Sequence, residues 1–158
     1  MAKLIIFDVY GTLIPADSEN KVVRAGLREL LDFYKARLKV TCSDAPLEDF
    51  LPELKTTGIY EHFYNHYGEG NLIYNPGRLK NLGRICEDTS IPVSQAVFIG
   101  DNHSGMDERS AKHFKIQFIK VPQFRTSPPS GPEKVWQKGY VKYDPKNRFS
   151  FASLIGKL

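Results

Sequence analysis

Four short apolar runs, separated by stretches of helical periodicity, constrain this chain most. The runs are KLIIF (3–7), LKVTC (38–42), QAVFIG (95–100) and KIQFIKV (115–121). Each is strand length and rich in branched residues. In VVRAGLRELLDFYKA (22–36), Val23, Leu27, Leu30, Leu31 and Tyr34 share one helical side. Further helices are expected at 45–58, closed by Gly58 and kinked or split at Pro52, at 77–90 after Pro76, and at 106–114. A weaker strand is expected within 60–68 and a terminal helix at 151–158. Strands alternating with helices predict an α/β fold: a parallel sheet with helices on both faces. A length of 158 residues suits a single domain, 1–158, with one core.

In such sheets ligands sit beyond the carboxyl ends of the strands. The first run ends in Asp8, the second in Ser43 and Asp44, the third in Asp101 and Asn102. A carboxylate at the end of a buried strand costs free energy unless a cation or hydrogen bonds compensate it. One such Asp is more simply read as a cap on the next turn. Two, Asp8 and Asp101, with Ser43 at a third strand end, read better as a site. A hard divalent cation, Mg²⁺, would relieve their repulsion. Asp8 could then attack phosphorus and form an aspartyl-phosphate. His103, beside Asp101, is more simply a surface loop residue than a base or metal ligand.

Hydrophobic residues make up 41% of the chain, enough for a packed core rather than disorder. Two cysteines are too few for a disulfide framework and suit a reducing compartment. The first apolar run breaks at Asp8, and no run approaches the ~18 apolar residues of a membrane span. A cytoplasmic protein with no membrane partner is expected. The formal net charge of +4 agrees with an anionic partner, although solvated surface lysine is its commoner meaning. The stretch 122–148 is rich in Pro, Gly, Lys, Arg and aromatics. It reads first as a long loop over the sheet end, and second as a basic, aromatic lip for substrate.

FDVYGTL (7–13), VTCSD (40–44) and VFIGDNHSGMD (97–107) resemble motifs I, II and IV of the haloacid dehalogenase (HAD) superfamily, in the right order and each after an expected strand. The resemblance spans roughly residues 3–121 and implies a HAD-like Rossmannoid fold. It implies that Asp8 is the nucleophile, that Asp8, Asp101 and the backbone carbonyl of Tyr10 ligate Mg²⁺, that Ser43 hydrogen-bonds the transferring group, and that Thr12 supports the motif I loop. Asp107 would be the supporting acid of motif IV, orienting the metal shell. A basic residue of motif III would stabilise phosphoryl oxygens. Arg78 and Lys80 are the candidates, with Arg78 slightly preferred, both at the start of a helix.

Three positions depart from the family pattern. Tyr10 stands where its phosphatases usually carry a second Asp as general acid/base, a role for which a phenol of pKa ~10 is a poor substitute. Asn75-Pro76 stands where Lys-Pro is frequent. The five residues NHSGM separate Asp101 from Asp107, where three or four are usual. Neither 13–38 nor 68–76 has room for a large cap domain. The resemblance therefore implies a capless Mg²⁺-dependent phosphatase with a phosphorylated substrate, macromolecular substrates included and nucleic acid among them. The alternatives are a HAD-fold binding protein with little or no turnover and, less favoured without a cap, a haloacid dehalogenase-like hydrolase.

Overall fold

β1 (Leu4–Phe7) is buried along its whole length and lies at the centre of a five-stranded parallel sheet. The computed structural model describes residues 1–17, 21–127, 139–140, 146 and 148–158. Around β1 come α1 (Leu27–Phe33), β2 (Leu38–Cys42), α2 (Leu47–Thr56), β3 (Asn65–Tyr67), β4 (Leu72–Ile73), β5 (Leu79–Lys80), α3 (Leu82–Thr89), β6 (Ala96–Gly100), α4 (Met106–Phe114) and β7 (Gln117–Lys120). The sheet order is β3-β2-β1-β6-β7. Leu4 lies beside Leu38 on one side and Ala96 on the other, and Phe7 beside Thr41 and Ile99.

Successive side chains of a strand point to opposite faces. Ile5 and Phe7 accordingly pack with Leu27, Leu30 and Leu31 of α1, Phe50 and Leu54 of α2, and Phe151. Leu4 and Ile6 pack with Leu82 and Ile85 of α3 and Ala111 of α4. A strand buried on both faces has no polar position to spare, which is why β1 reads as a continuous apolar run. The segments between β1 and α1 and between β3 and β4 hold no large cap among the described residues. No helix there is long and apolar enough to cross a membrane.

Several expected elements are corrected. The helix expected from 22 begins only at Leu27, because Gly26 has φ 75° and the Arg24 N–H is spent on the Leu13 carbonyl. The helix expected over 77–90 begins at Leu82. Before it, β4 and β5 form an antiparallel hairpin, and the Asn81 side chain caps the helix by accepting from the Arg84 N–H at 3.1 Å. Arg78 and Lys80 therefore belong to the hairpin, not to a helix. α2 runs through Pro52 as one helix. The segment 60–68 holds a 3₁₀ turn (Tyr60–His62) before β3, and 151–158 forms only a 3₁₀ turn, Phe151–Leu154. Most of the basic stretch 122–148 lies outside the described residues.

On the edge strand, His66 Nδ1 lies 2.7 Å from Thr41 Oγ1 and the ring stacks on Tyr60 at 4.6 Å. Burial, then the charge of Lys55, lowers its pKa to about 4. Below the ordinary value of 6.5 the unfolded chain binds a proton that the folded chain refuses. Stability is therefore lost as pH falls from about 6.5 to about 4. The ring is partly exposed, so solvent screening discounts the effect to about 1 kcal/mol, or about 2–4 °C in Tm. His66→Gln should shrink the Tm difference between pH 7 and pH 4.5 by that amount. An unchanged difference would remove His66 from the account.

Candidate active site

Asp8 follows β1 directly and Asp101 follows β6, so parallel neighbours deliver both carboxylates to one sheet edge. Asp107 enters from the first turn of α4. The extra length of NHSGM is taken up by a 3₁₀ turn, His103–Gly105, which returns the chain to the site before α4 starts. Asp8, Asp101 and Asp107 are all buried, and each offers an oxygen within 4.8 Å of the others.

Lys80 rises from β5 between two of them. Its Nζ lies 2.8 Å from Asp8 Oδ1 and 2.7 Å from Asp107 Oδ1, and it is 3% exposed. Arg78, the slightly preferred basic candidate, instead pairs with Asp44 at 3.6 Å near the surface. Lys80 lies in β5 and is buried, whereas Arg78 precedes the strand, in the bend of the hairpin, and stays at the rim.

Thr12 ties the motif together. Its hydroxyl donates to Asp8 Oδ2 at 2.9 Å and accepts from the Asp101 N–H at 3.0 Å. Two glycines permit the close packing. A Cβ at Gly11, where φ is 76°, would sit 2.3 Å from Asp101 Oδ2, and one at Gly100 would sit 2.4 Å from Asp107 Oδ2. Asn102 holds the other side: its N–H donates to Asp107 Oδ2 at 3.1 Å and its Oδ1 accepts from the Glu108 N–H at 2.9 Å.

Burial alone would raise the Asp8 carboxyl, but the Lys80 ammonium and hydrogen bonds from Asp101, Lys80 and Thr12 outweigh it and hold Asp8 below the usual carboxylate range. Asp101 is pushed well above that range by burial and by the charge of Asp8. Asp107 rises to about 6, since burial exceeds what Lys80 returns. Burial opposes the charge on Lys80 too, yet Asp107 and Asp8 raise its pKa well above the ordinary lysine value. Asp8 and Asp107 thus share one ammonium, and Asp101 has no ion pair with it.

A cavity of about 230 Å³ opens over this cluster, lined by Asp8, Lys80, Asp101 and Asp107 and walled by Tyr10, Ala16, Asp44, His103, Met106 and Gln123. Ser43 follows β2 as expected, but its hydroxyl accepts from the Ala45 N–H at 3.1 Å, and Asp44 lines the cavity in its place. The Tyr10 hydroxyl turns toward α2 and donates to the Asp49 carbonyl at 3.4 Å. Burial, with Glu53 next, pushes that phenol above its ordinary value. Gln123 was not anticipated. It is buried and donates from Nε2 to Asp101 Oδ2 at 3.0 Å. Its signal was position: it lies just past the carboxyl end of β7, on the edge that already held Asp8 and Asp101.

Neither a protein-family model nor a curated protein sequence matches the chain. Solved structures do. A protein described as a predicted phosphoglycolate phosphatase from Haemophilus somnus 129pt superposes with a TM-score of 0.70 at 16% identity, over 97% of this chain and 96% of that one. L-2-haloacid dehalogenase from Xanthobacter autotrophicus gives 0.63 at 11% identity, over 80% of each chain. The N-terminal part of a Bacteroides fragilis protein, containing a phosphatase domain and complexed with Mg, gives 0.59 at 15% identity, over 77% of this chain and 36% of that one. These likenesses are in fold, and with the parallel sheet and the carboxylates at its edge they identify the chain's architecture as the HAD-like fold, with no large cap among the described residues.

Proposed function

We propose that the chain is a hydrolase of phosphate monoesters that works through Asp8. The observation that carries this reading is the buried group of Asp8, Asp101 and Asp107 around one Lys80, open to a cavity. The donor set suits a magnesium ion. It is all oxygen, it carries more negative charge than Lys80 neutralises, and among the described residues the Asp101 carboxyl meets, besides its carboxylate neighbours, only the neutral Gln123 Nε2 at 3.0 Å and the Thr12 hydroxyl at 3.4 Å. Asp8, Asp101 and the Tyr10 carbonyl would hold the ion, with Asp107 orienting the shell. When bound, it supplies charge neutralisation for the phosphoryl oxygens.

Asp8 lines the cavity, is kept ionised by Lys80 at Oδ1 and is held by Thr12 at Oδ2, which suits it to act as a nucleophile. Its attack on phosphorus forms an Asp8–phosphate bond as the bond to the leaving oxygen breaks. Water then attacks that phosphorus, releasing inorganic phosphate and restoring the carboxylate. Lys80 is placed to stabilise charge on the transferring group. Tyr10, engaged with Asp49 and raised in pKa, is not available to move protons here. Slow turnover follows, with a preference for leaving groups that depart without a proton.

The same Tyr10 geometry favours a second reading, a HAD-fold binding protein with little turnover. A panel of phosphate esters, including a 3′-phosphorylated oligonucleotide and an acyl phosphate, separates the two. Hydrolysis that needs added Mg²⁺ and stops with chelator is the expected result. Silence on every ester would favour the binding protein and make a 2-haloacid the next compound to test.

A further inference from the structure

A second groove, of about 320 Å³, lies between the β4–β5 hairpin and α4. Pro76, Gly77, Arg78 and Leu79 form one wall, and Arg109, Lys112 and His113 form the other. We propose that this groove holds the phosphodiester chain of a single-stranded nucleic acid whose terminal phosphate enters the carboxylate cavity. The proposal rests on the hydrolase reading for what happens at that terminus.

Arg109, Lys112 and His113 occupy positions i, i+3 and i+4 of α4, so they form one exposed row along the helix. The Arg109 guanidinium is held by the Ser104 carbonyl at 2.9 Å, while the side chains of Lys112 and His113 make no hydrogen bond or ion pair with a described residue. Arg78 faces this row and also reaches Asp44, which lines the carboxylate cavity. Groove and cavity therefore share a rim. A row of cations matches a ligand charged at regular intervals, and guanidinium forks match phosphate. Pro76 stands exposed on the groove wall, with Leu79 buried beneath, and Tyr74, two residues before Pro76, stands 68% exposed in the hairpin loop. Cations along the groove, with an exposed proline on its wall and an exposed tyrosine beside it, suit the alternating phosphates and flat bases of a single strand. An acidic peptide would satisfy the charges but would leave those faces without partners.

The test uses the full chain carrying Asp8→Asn, so that bound ligand is not consumed. The probe is a fluorescein-labelled single-stranded oligothymidylate with a 3′-phosphate, read by anisotropy against an acidic phosphopeptide of equal charge. The oligonucleotide should bind about tenfold tighter or better. Lys112→Glu should weaken it about tenfold and lower the salt slope by at least about 0.7, with Tm unchanged. Adding Arg109→Gln should weaken it further. In the chain with Asp8 intact, Lys112→Glu should raise KM for the phosphorylated oligonucleotide and leave KM for p-nitrophenyl phosphate alone. Binding indifferent to both substitutions, or tighter for the phosphopeptide, overturns the proposal. Groove-dependent binding without turnover of any ester still supports it, and counts against the hydrolase reading alone.

Discussion

Asp8→Asn is expected to abolish ester hydrolysis, by about a thousandfold or more in kcat, while the folded chain survives. The amide keeps the shape of the carboxyl and can still accept from Thr12, which sits 2.9 Å from Asp8 Oδ2. It cannot attack phosphorus as an anion. Stability should change little because two effects oppose each other. Lys80 loses one of its two ion pairs, yet keeps Asp107 at 2.7 Å. Asp101, whose carboxyl is driven upward partly by the Asp8 charge, loses a repulsive neighbour. Turnover measured on the panel's best substrate, beside a thermal melt, checks both halves. Activity within tenfold of the starting protein would remove Asp8 from the nucleophile's place, and a collapsed melt would show that its charge serves folding instead.

The parts of this site legible in the sequence were those that end long apolar runs. Asp8 and Asp101 close β1 and β6, strands buried on both faces, so the change from apolar to charged was abrupt and located. Asp107 was reachable only through the resemblance of VFIGDNHSGMD (97–107) to motif IV. The hairpin was not legible. β4 and β5 are two residues each, too short to show a period, and they are fixed by pairing with one another, Leu72 with Lys80 and Ile73 with Leu79. With β5 hidden inside an expected helix, nothing told Arg78 from Lys80. Burial separates their positions, and burial is a property of the assembled fold. Gln123 escaped for a different reason: a neutral amide after a half-buried strand carries no cost that demands explanation until Asp101 is seen beside it. Ser43 shows a local contact that the sequence did not announce. Its place at the end of β2 was legible, but not that its hydroxyl accepts from the Ala45 N–H two residues on.

Lys80→Met should cost about 3–5 kcal/mol, because it removes the cation from two buried carboxylates and leaves the space filled. At about 2–4 °C per kcal/mol in a chain of this size, the melt should fall by on the order of 10 °C. The loss should depend on pH in a definite direction. Without Lys80, the folded-state pKa values of Asp8 and Asp107 lie above their unfolded values, Asp107 being already near 6 with Lys80 present. Groups raised in this way stabilise the fold below their unfolded pKa and lose that contribution as pH rises, so the deficit should be largest near pH 8 and shrink toward pH 5. Asp107→Asn in the same chain should recover part of it, since removing the second charge of a broken pair relieves the first. Millimolar Mg²⁺ should recover part as well, by binding the folded state alone. A loss below about 1 kcal/mol, or one independent of pH, Asp107 and Mg²⁺, would mean that water solvates these carboxylates and that Lys80 is not what holds them together.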